Sequence, residues 1–169
     1  MFLRASTLFL GLMVAAAGLL RAAEPSDAFG PIVAEYEVIR AALAADKTDG
    51  TAERAKKLEA FARESVTAQQ AGVPEAAAGE LATLLPKIAA AAAKVATTEG
   101  LAAVRDAFGE LSAPLVRWFE LRTTKGDWAI AYCPMAEQYW LQKKTPEVDN
   151  PFYGSEMLTC GRFVAKVEE

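Results

Sequence analysis

The sequence predicts a mainly α-helical protein: an antiparallel four-helix bundle followed by a short β-hairpin and loop module. From about residue 27 to residue 122, apolar residues recur at helical spacing in four stretches separated by turn residues. From Thr123 onward glycine, proline, asparagine and aromatic residues become dense. The 169 residues suffice for one domain with a hydrophobic core. We therefore expect a single domain, residues 24–169, with a C-terminal module from about residue 123.

The first 23 residues have the pattern of a secretory signal peptide. Arg4 precedes an apolar run from Ala5 to Leu20, and Ala22 and Ala23 provide small residues for cleavage. The run is short for a helix that crosses about 30 Å of hydrocarbon, and the polar EPSD follows it. We predict export to the periplasm, cleavage near residue 22 or 23, and no membrane association of the mature chain.

The first two helices are predicted from their apolar faces. The first ends near the turn sequence DKTDG, and the second begins near Thr51 and ends before AGVP. The inward-facing residues of the first helix are Phe29, Ile32, Val33, Tyr36, Ile39 and Leu43. Those of the second are Leu58, Phe61, Ala62 and Val66. Each helix therefore has one face that can pack against a neighbour.

The third and fourth helices contain internal prolines. Pro74 suits the first turn of the third helix, and Thr98 is the candidate N-cap of the fourth. Pro86 and Pro114 each remove one backbone hydrogen bond, so we expect bends there. The inward-facing residues of the third helix are Leu81, Leu84, Leu85, Ile88 and Val95. Those of the fourth are Leu101, Val104, Phe108, Leu111, Leu115 and Trp118.

The C-terminal module is predicted to contain two strands. The stretch Trp128–Tyr132 pairs antiparallel with Phe163–Val167, and NPFYG forms a loop between them. This pairing brings Cys133 and Cys160 toward the same end of the two strands.

Charge and composition exclude several functional classes. Removal of the signal peptide leaves 16 basic against 22 acidic side chains, a net charge of −6, and no basic cluster is interleaved with aromatic residues. Nucleic acid is therefore not an expected partner. The chain has no histidine, which excludes blue-copper sites, ordinary catalytic zinc and a cysteine–histidine nucleophile. We do not expect an enzyme or an organic cofactor.

All the sulfur of the mature chain lies in the C-terminal module, as C-x-M at Cys133 and Met135 and M-x-x-C at Met157 and Cys160. Thiolate and thioether ligands favour Cu(I), with Ag(I) as its analogue, over harder ions. These four residues are the predicted ligands of an exported soft-metal-binding protein.

The two cysteines have a second interpretation, because an exported chain can form disulfides. A disulfide between Cys133 and Cys160 is worth roughly 3.5 kcal/mol for a loop of that length. The protein is then a disulfide-stapled interaction module without metal, whose stretch from Trp140 to Tyr153 contacts a partner protein. The sequence leaves both interpretations open, and they can be two redox states of one pair.

Several C-terminal motifs also carry a family resemblance. YCPMA, the pair Trp140–Leu141, NPFYG and MLTCG resemble a domain of unknown function found at the C-terminus of periplasmic adaptor subunits of copper and silver efflux pumps. The same domain occurs alone in small exported proteins. The stretches YEVIRAALAAD and VRDAFGELSAPLVR resemble its first and last helices.

The resemblance implies a helical bundle with a cysteine- and methionine-bearing module, in a setting of heavy-metal handling. It implies components of a metal efflux system as partners. The matching sulfur positions are Cys133, Met135, Met157 and Cys160, and the loop that shapes them contains Asn150, Pro151 and Gly154. This chain lacks the long hairpin and barrel parts of the adaptors.

Overall fold

The computed structural model describes residues 27–167, and the predicted signal peptide, residues 1–23, lies outside them. The described chain is mainly helical and ends in a small antiparallel sheet, which confirms the predicted class. Its α-helices are α1 (Phe29–Ala44), α2 (Thr51–Ala62), α3 (Ala68–Ala71), α4 (Ala78–Thr97) and α5 (Leu101–Leu121). Its strands are β1 (Trp128–Cys133), β2 (Gln138–Lys143) and β3 (Arg162–Val164), and two 3₁₀ turns span Glu75–Ala77 and Gly154–Glu156.

The helical core follows the apolar faces that the sequence predicts. All six residues predicted to face inward from α1 are buried. Helix α4 packs against both α2 and α5, and α1 packs against α2. Tyr36 of α1 stacks on Phe108 of α5, with ring centroids 4.8 Å apart. The indole of Trp118 is buried, and its Nε1 donates to the carbonyl of Ala71 at 3.2 Å.

The predicted second helix is shorter than expected. Helix α2 ends at Ala62, and the chain restarts as the short helix α3. Thr67 and Gln70 form a capping box, in which each side chain accepts from the other residue's backbone amide. This T-x-x-Q signal starts a separate helix, so Val66 lies in the connection between α2 and α3 rather than on a helix face.

The assignment of Thr98 as the N-cap of the last helix is wrong. The N-cap residue of α5 is Gly100, with φ 84°. The Thr98 hydroxyl donates to the carbonyl of Lys94 at 2.7 Å, so its side chain belongs to the end of α4. Neither internal proline ends its helix, because α4 continues through Pro86 and α5 through Pro114.

The segment Glu75–Thr97 is long and apolar enough to cross a membrane by length and composition. Its Leu81, Ile88 and Val95 are buried in the helical core. Of its most apolar 18-residue window, 28% is buried inside the protein, so the helix packs against the core through one face.

The predicted two-stranded hairpin is corrected to a three-stranded sheet in the order β2-β1-β3. The expected pairing of β1 with the end of the chain is present, with Ala131 opposite Phe163. The sequence missed β2, which pairs antiparallel with β1 and places Ala131 opposite Trp140 on the other side. The turn between β1 and β2 has Glu137 at φ 51° and no glycine or asparagine, so the usual hairpin signal was missing.

Candidate metal centre

The strand pairing brings the two cysteines into contact. Cys133 ends β1, and its neighbour Tyr132 pairs with Arg162 at the start of β3. The two sulfur atoms of Cys133 and Cys160 lie 2.8 Å apart, farther than the roughly 2.05 Å of a disulfide bond, so no disulfide joins them in this structure. The Cys133 side chain is buried and that of Cys160 is half-buried. Two cysteine sulfurs, from residues 27 positions apart in the chain, thus lie side by side.

Asn150 positions the backbone that carries Cys160. Its side chain is buried, and its Nδ2 donates to the Cys160 carbonyl at 2.9 Å. Its Oδ1 accepts from the backbone amides of Phe152 at 2.8 Å and Tyr153 at 3.3 Å. A β-carbon at Gly161 would lie 2.9 Å from the Tyr132 carbonyl, so glycine permits the close approach of β3 to β1. Asn150 of the NPFYG loop and Gly161 therefore position the backbone of Cys160 beside β1.

Both methionines meet Cys160 through their backbones. The Met157 carbonyl accepts from the Cys160 amide at 2.9 Å, and the backbone of Met135 hydrogen-bonds the Cys160 thiol. The Met157 side chain is half-buried, whereas that of Met135 is 64% exposed in the turn after β1. The Tyr153 hydroxyl donates to the Met135 carbonyl at 3.2 Å. The two thioethers are thus attached to backbone that touches the thiol pair.

The surroundings of the Cys160 thiol favour its protonated form. The hydrogen bond to Cys133 and burial raise the pKa of the Cys160 thiol, and the backbone of Met135 opposes them. Metal binding requires loss of the thiol proton, because the thiolate is the form of cysteine that binds a metal.

The contact distance limits how a metal can bind. Two sulfurs that each lie about 2.3 Å from one ion, as in zinc sites, are 2.8 Å apart only at a sulfur–metal–sulfur angle of about 75°. Tetrahedral and linear coordination need wider angles, so the sulfurs must separate when an ion binds. Within residues 27–167 no group of three or more histidine, cysteine, aspartate or glutamate side chains is arranged to hold a metal. In this part of the chain the two cysteines therefore have no third side chain of these types beside them.

The helical region of the chain matches a known protein family. A family model described as protein of unknown function (DUF3347) matches residues 32–126, more than half of the chain. This chain belongs to the DUF3347 family. The prediction of an uncharacterised domain family is thereby confirmed. The match begins within α1, includes α2 to α5 and ends before β1, so the four sulfur residues lie beyond it. No curated protein and no solved structure matches the chain.

Two arginines of the helical region of this DUF3347 protein bind the backbone at residues 149–151, in the loop that leads to Cys160. Arg40 of α1 is 4% exposed, pairs with Glu37, and donates to the Asp149 carbonyl at 2.8 Å. Arg105 of α5 donates to the Pro151 carbonyl at 2.9 Å. The loop is therefore attached to two helices by guanidinium groups that bridge to backbone carbonyls.

Asp46 adds a third attachment at the end of α1. Its carboxylate accepts from Arg105 at 2.6 Å and from the Ser155 amide at 3.0 Å. Hydrogen bonds from Ser155 and Arg105 hold the pKa of Asp46 down to about 2. Gly154 lies against this pair at φ 55°, where a β-carbon would clash with the Asp46 carboxylate.

Sequence reasoning missed these attachment residues, although one of them carries a signal. Arg40 lies four residues after Tyr36 and three before Leu43, on the apolar stripe of α1. A charge in such a stripe indicates a buried partner. Arg105 and Asp46 lie among polar helix-end and surface residues, which gives no comparable signal.

A cleft of about 310 Å³ opens beside the Met135 turn. Helix α5, the β1–β2 turn and the NPFYG loop form its walls. Its lining residues are Arg105, Asp106, Gly109, Met135, Ala136, Gln138, Phe152 and Tyr153. The exposed thioether of the DUF3347 protein therefore borders a solvent-filled cleft between the helices and the module.

Proposed function

We propose that this DUF3347 protein binds Cu(I), with Ag(I) as an analogue, through Cys133 and Cys160. The observation that carries the proposal is the contact of the two sulfur atoms at 2.8 Å. Thiolates are soft ligands that select Cu(I) over harder ions. The absence of histidine from the whole sequence leaves sulfur as the soft donor type available.

Met135 and Met157 are the proposed additional ligands. Their backbones both contact Cys160, so both thioethers are attached close to the pair. Met157 is half-buried and suits a ligand that stays in place. Met135 is exposed and suits a ligand that joins when the ion arrives. The separation of the thiols on binding creates the space that a thioether needs.

The proposed setting is the periplasm, after cleavage of the signal peptide near residue 22 or 23. There the protein acts as a Cu(I) chaperone, buffer or accessory to a metal efflux system, without catalysing a reaction. An antiparallel four-helix bundle is the proposed scaffold, supported by the packing of α4 between α2 and α5. N-terminal sequencing of protein from a periplasmic extract tests the export step.

Metal titration tests the binding step. Reduced protein is titrated with Cu(I) without oxygen, against a chromogenic Cu(I) chelator. We expect one ion per chain, and no uptake by the Cys133→Ala, Cys160→Ala double variant. Met135→Leu and Met157→Leu preserve apolar volume, so weaker binding in either variant reports a lost ligand rather than a lost fold.

The controls separate binding from folding. Circular dichroism must show that the double variant keeps its helices. Zn(II) serves as the comparison ion, because it prefers four ligands in tetrahedral geometry and the thiol pair supplies two. Absence of Cu(I) uptake by the reduced wild-type protein, or equal uptake by the double variant, contradicts the proposal.

The second candidate is the disulfide-stapled interaction module without metal. The 2.8 Å contact favours it, because sulfurs this close need little movement to bond. The predicted contact segment needs correction at its start, since Trp140 and Leu141 are fully buried and offer no side-chain surface to a partner. Free-thiol counting on protein isolated under native conditions distinguishes the two: a permanent disulfide favours the staple, and two titratable thiols favour the metal site.

A further inference from the structure

The two sulfurs of the pair differ in their access to solvent. The Cys133 side chain has an exposed fraction of 0% and is part of the hydrophobic core. Cys160 is half-buried, and it follows Leu158 and Thr159, which are both exposed. A molecule that arrives from solvent therefore meets the Cys160 sulfur first. The Cys133 sulfur, at the buried end of β1, is in contact with the Cys160 sulfur.

Local contacts hold Cys160 in place beside its partner sulfur. The backbone of Met135 hydrogen-bonds its thiol. Asn150 holds its carbonyl, so the residue keeps its place while its sulfur is modified. The Cys133 sulfur lies 2.8 Å from the Cys160 sulfur, close enough to attack a disulfide formed at Cys160.

We propose that Cys160 is the site at which this protein exchanges with disulfides, and that Cys133 resolves the product. The Cys160 thiolate attacks one sulfur of an incoming disulfide, forms a mixed disulfide and releases one thiolate. The Cys133 thiol then attacks the Cys160 sulfur, and its proton passes to the second thiolate as that group leaves. The incoming disulfide gains two electrons and two protons, and the protein gains the Cys133–Cys160 disulfide.

This reaction takes place at the cysteine pair of the proposed metal site, but it does not require Cu(I). The disulfide form has no thiolate to offer, so exchange at Cys160 switches any metal binding off. Reduction by an external dithiol follows the reverse path and begins with attack on the half-buried Cys160 sulfur. The co-reactant is an accessible disulfide, either a small one such as oxidised glutathione or the active-site disulfide of an exported thiol oxidoreductase.

Single-cysteine variants test the order. Cys133→Ala and Cys160→Ala proteins are mixed with oxidised glutathione or with a purified C-x-x-C oxidoreductase in its disulfide form, and adducts are followed by intact-protein mass spectrometry. We expect the Cys133→Ala protein, which retains Cys160, to form the adduct about tenfold or more faster. Wild-type protein should lose two hydrogens and accumulate little adduct. The faster of the two probes identifies the source of the disulfide.

Two controls keep the result independent of variant folding. In denaturant both single variants should react at similar rates, because the difference arises from burial. In the reduced wild-type protein, a short pulse of alkylating reagent followed by peptide mapping should label Cys160 before Cys133. Equal rates in the folded variants, or first labelling at Cys133, overturns the proposal.

Discussion

The helical region (residues 27–122) and the C-terminal module (residues 123–167) are stabilised in different ways. The helical core is formed by large apolar side chains that are fully buried, among them Phe108, Leu111 and Trp118. The module has two buried polar residues of its own, Gln142 and Asn150, and each hydrogen-bonds several groups. The longer helical region also buries three polar residues, Arg40, Thr51 and Ser112, so the difference is one of proportion: hydrogen-bonded polar groups are a larger share of the buried residues in the module.

This difference matters for the proposed metal site, because the thiol pair belongs to the region with fewer buried apolar residues. Arginine side chains of the helices hold the NPFYG loop by backbone carbonyls. The family match coincides with the helical region and ends at residue 126. A common scaffold thus carries a module whose shape is set by a small number of named contacts.

The largest expected effect comes from the helical core. Phe108→Ala removes a fully buried ring that stacks on Tyr36, and should lower the free energy of unfolding by about 3–5 kcal/mol. Chemical denaturation followed by circular dichroism measures the change. Val38 of α1 is 45% exposed, so Val38→Ala should stay within about 0.5 kcal/mol of wild type. Equal losses in the two variants contradict the assigned core.

A smaller effect on stability, with a specific effect on the thiols, is expected for Asn150→Ala. The change leaves the Cys160 carbonyl and the amides of Phe152 and Tyr153 without their partner, at a cost of about 1–3 kcal/mol. Alkylation of Cys133 should become faster, because the loop over the pair loosens. The exposed residue Glu156 in the same segment provides the control Glu156→Ala. Unchanged alkylation despite lower stability shows that Asn150 does not position the pair.

The third comparison uses two glycines with nearly the same backbone. Gly126 and Gly154 have φ 54° and 55°, but a β-carbon meets nothing within 4 Å at Gly126 and clashes with Asp46 and Arg105 at Gly154. Alanine should cost about 1–2 kcal/mol at either site for the left-handed backbone. Gly154→Ala should cost more than Gly126→Ala, and only Gly154→Ala should disturb the thiol pair. Equal unfolding energies of the two variants contradict the tight contact.

How far the sequence predicts this protein depends on the range of the interaction. The helix faces follow from apolar spacing over neighbouring turns, so the buried face of α1 is predicted in full. The approach of the cysteines follows from one strand pairing. Strand β2 was missed because its turn uses Glu137 in a left-handed conformation without a glycine. The contact of Arg40 with the Asp149 carbonyl joins residues 109 positions apart, which no local pattern encodes.

The smallest expected effect is a pH dependence at the junction between the two regions. Hydrogen bonds from Ser155 and Arg105 hold the pKa of Asp46 down to about 2, below the value of about 3.9 for an unfolded chain. A depressed pKa adds stability that is present above about pH 4 and is lost as the pH falls through about 2. Asp46→Asn keeps a residue that tolerates the left-handed φ of 57° and removes the charge. The difference in unfolding free energy between wild type and this variant should be constant near neutral pH and should shrink as acid is added. A difference that stays the same down to pH 2 shows that the charge of Asp46 does not fasten the loop, and leaves Arg40 and Arg105 as the groups that join the module to the helices.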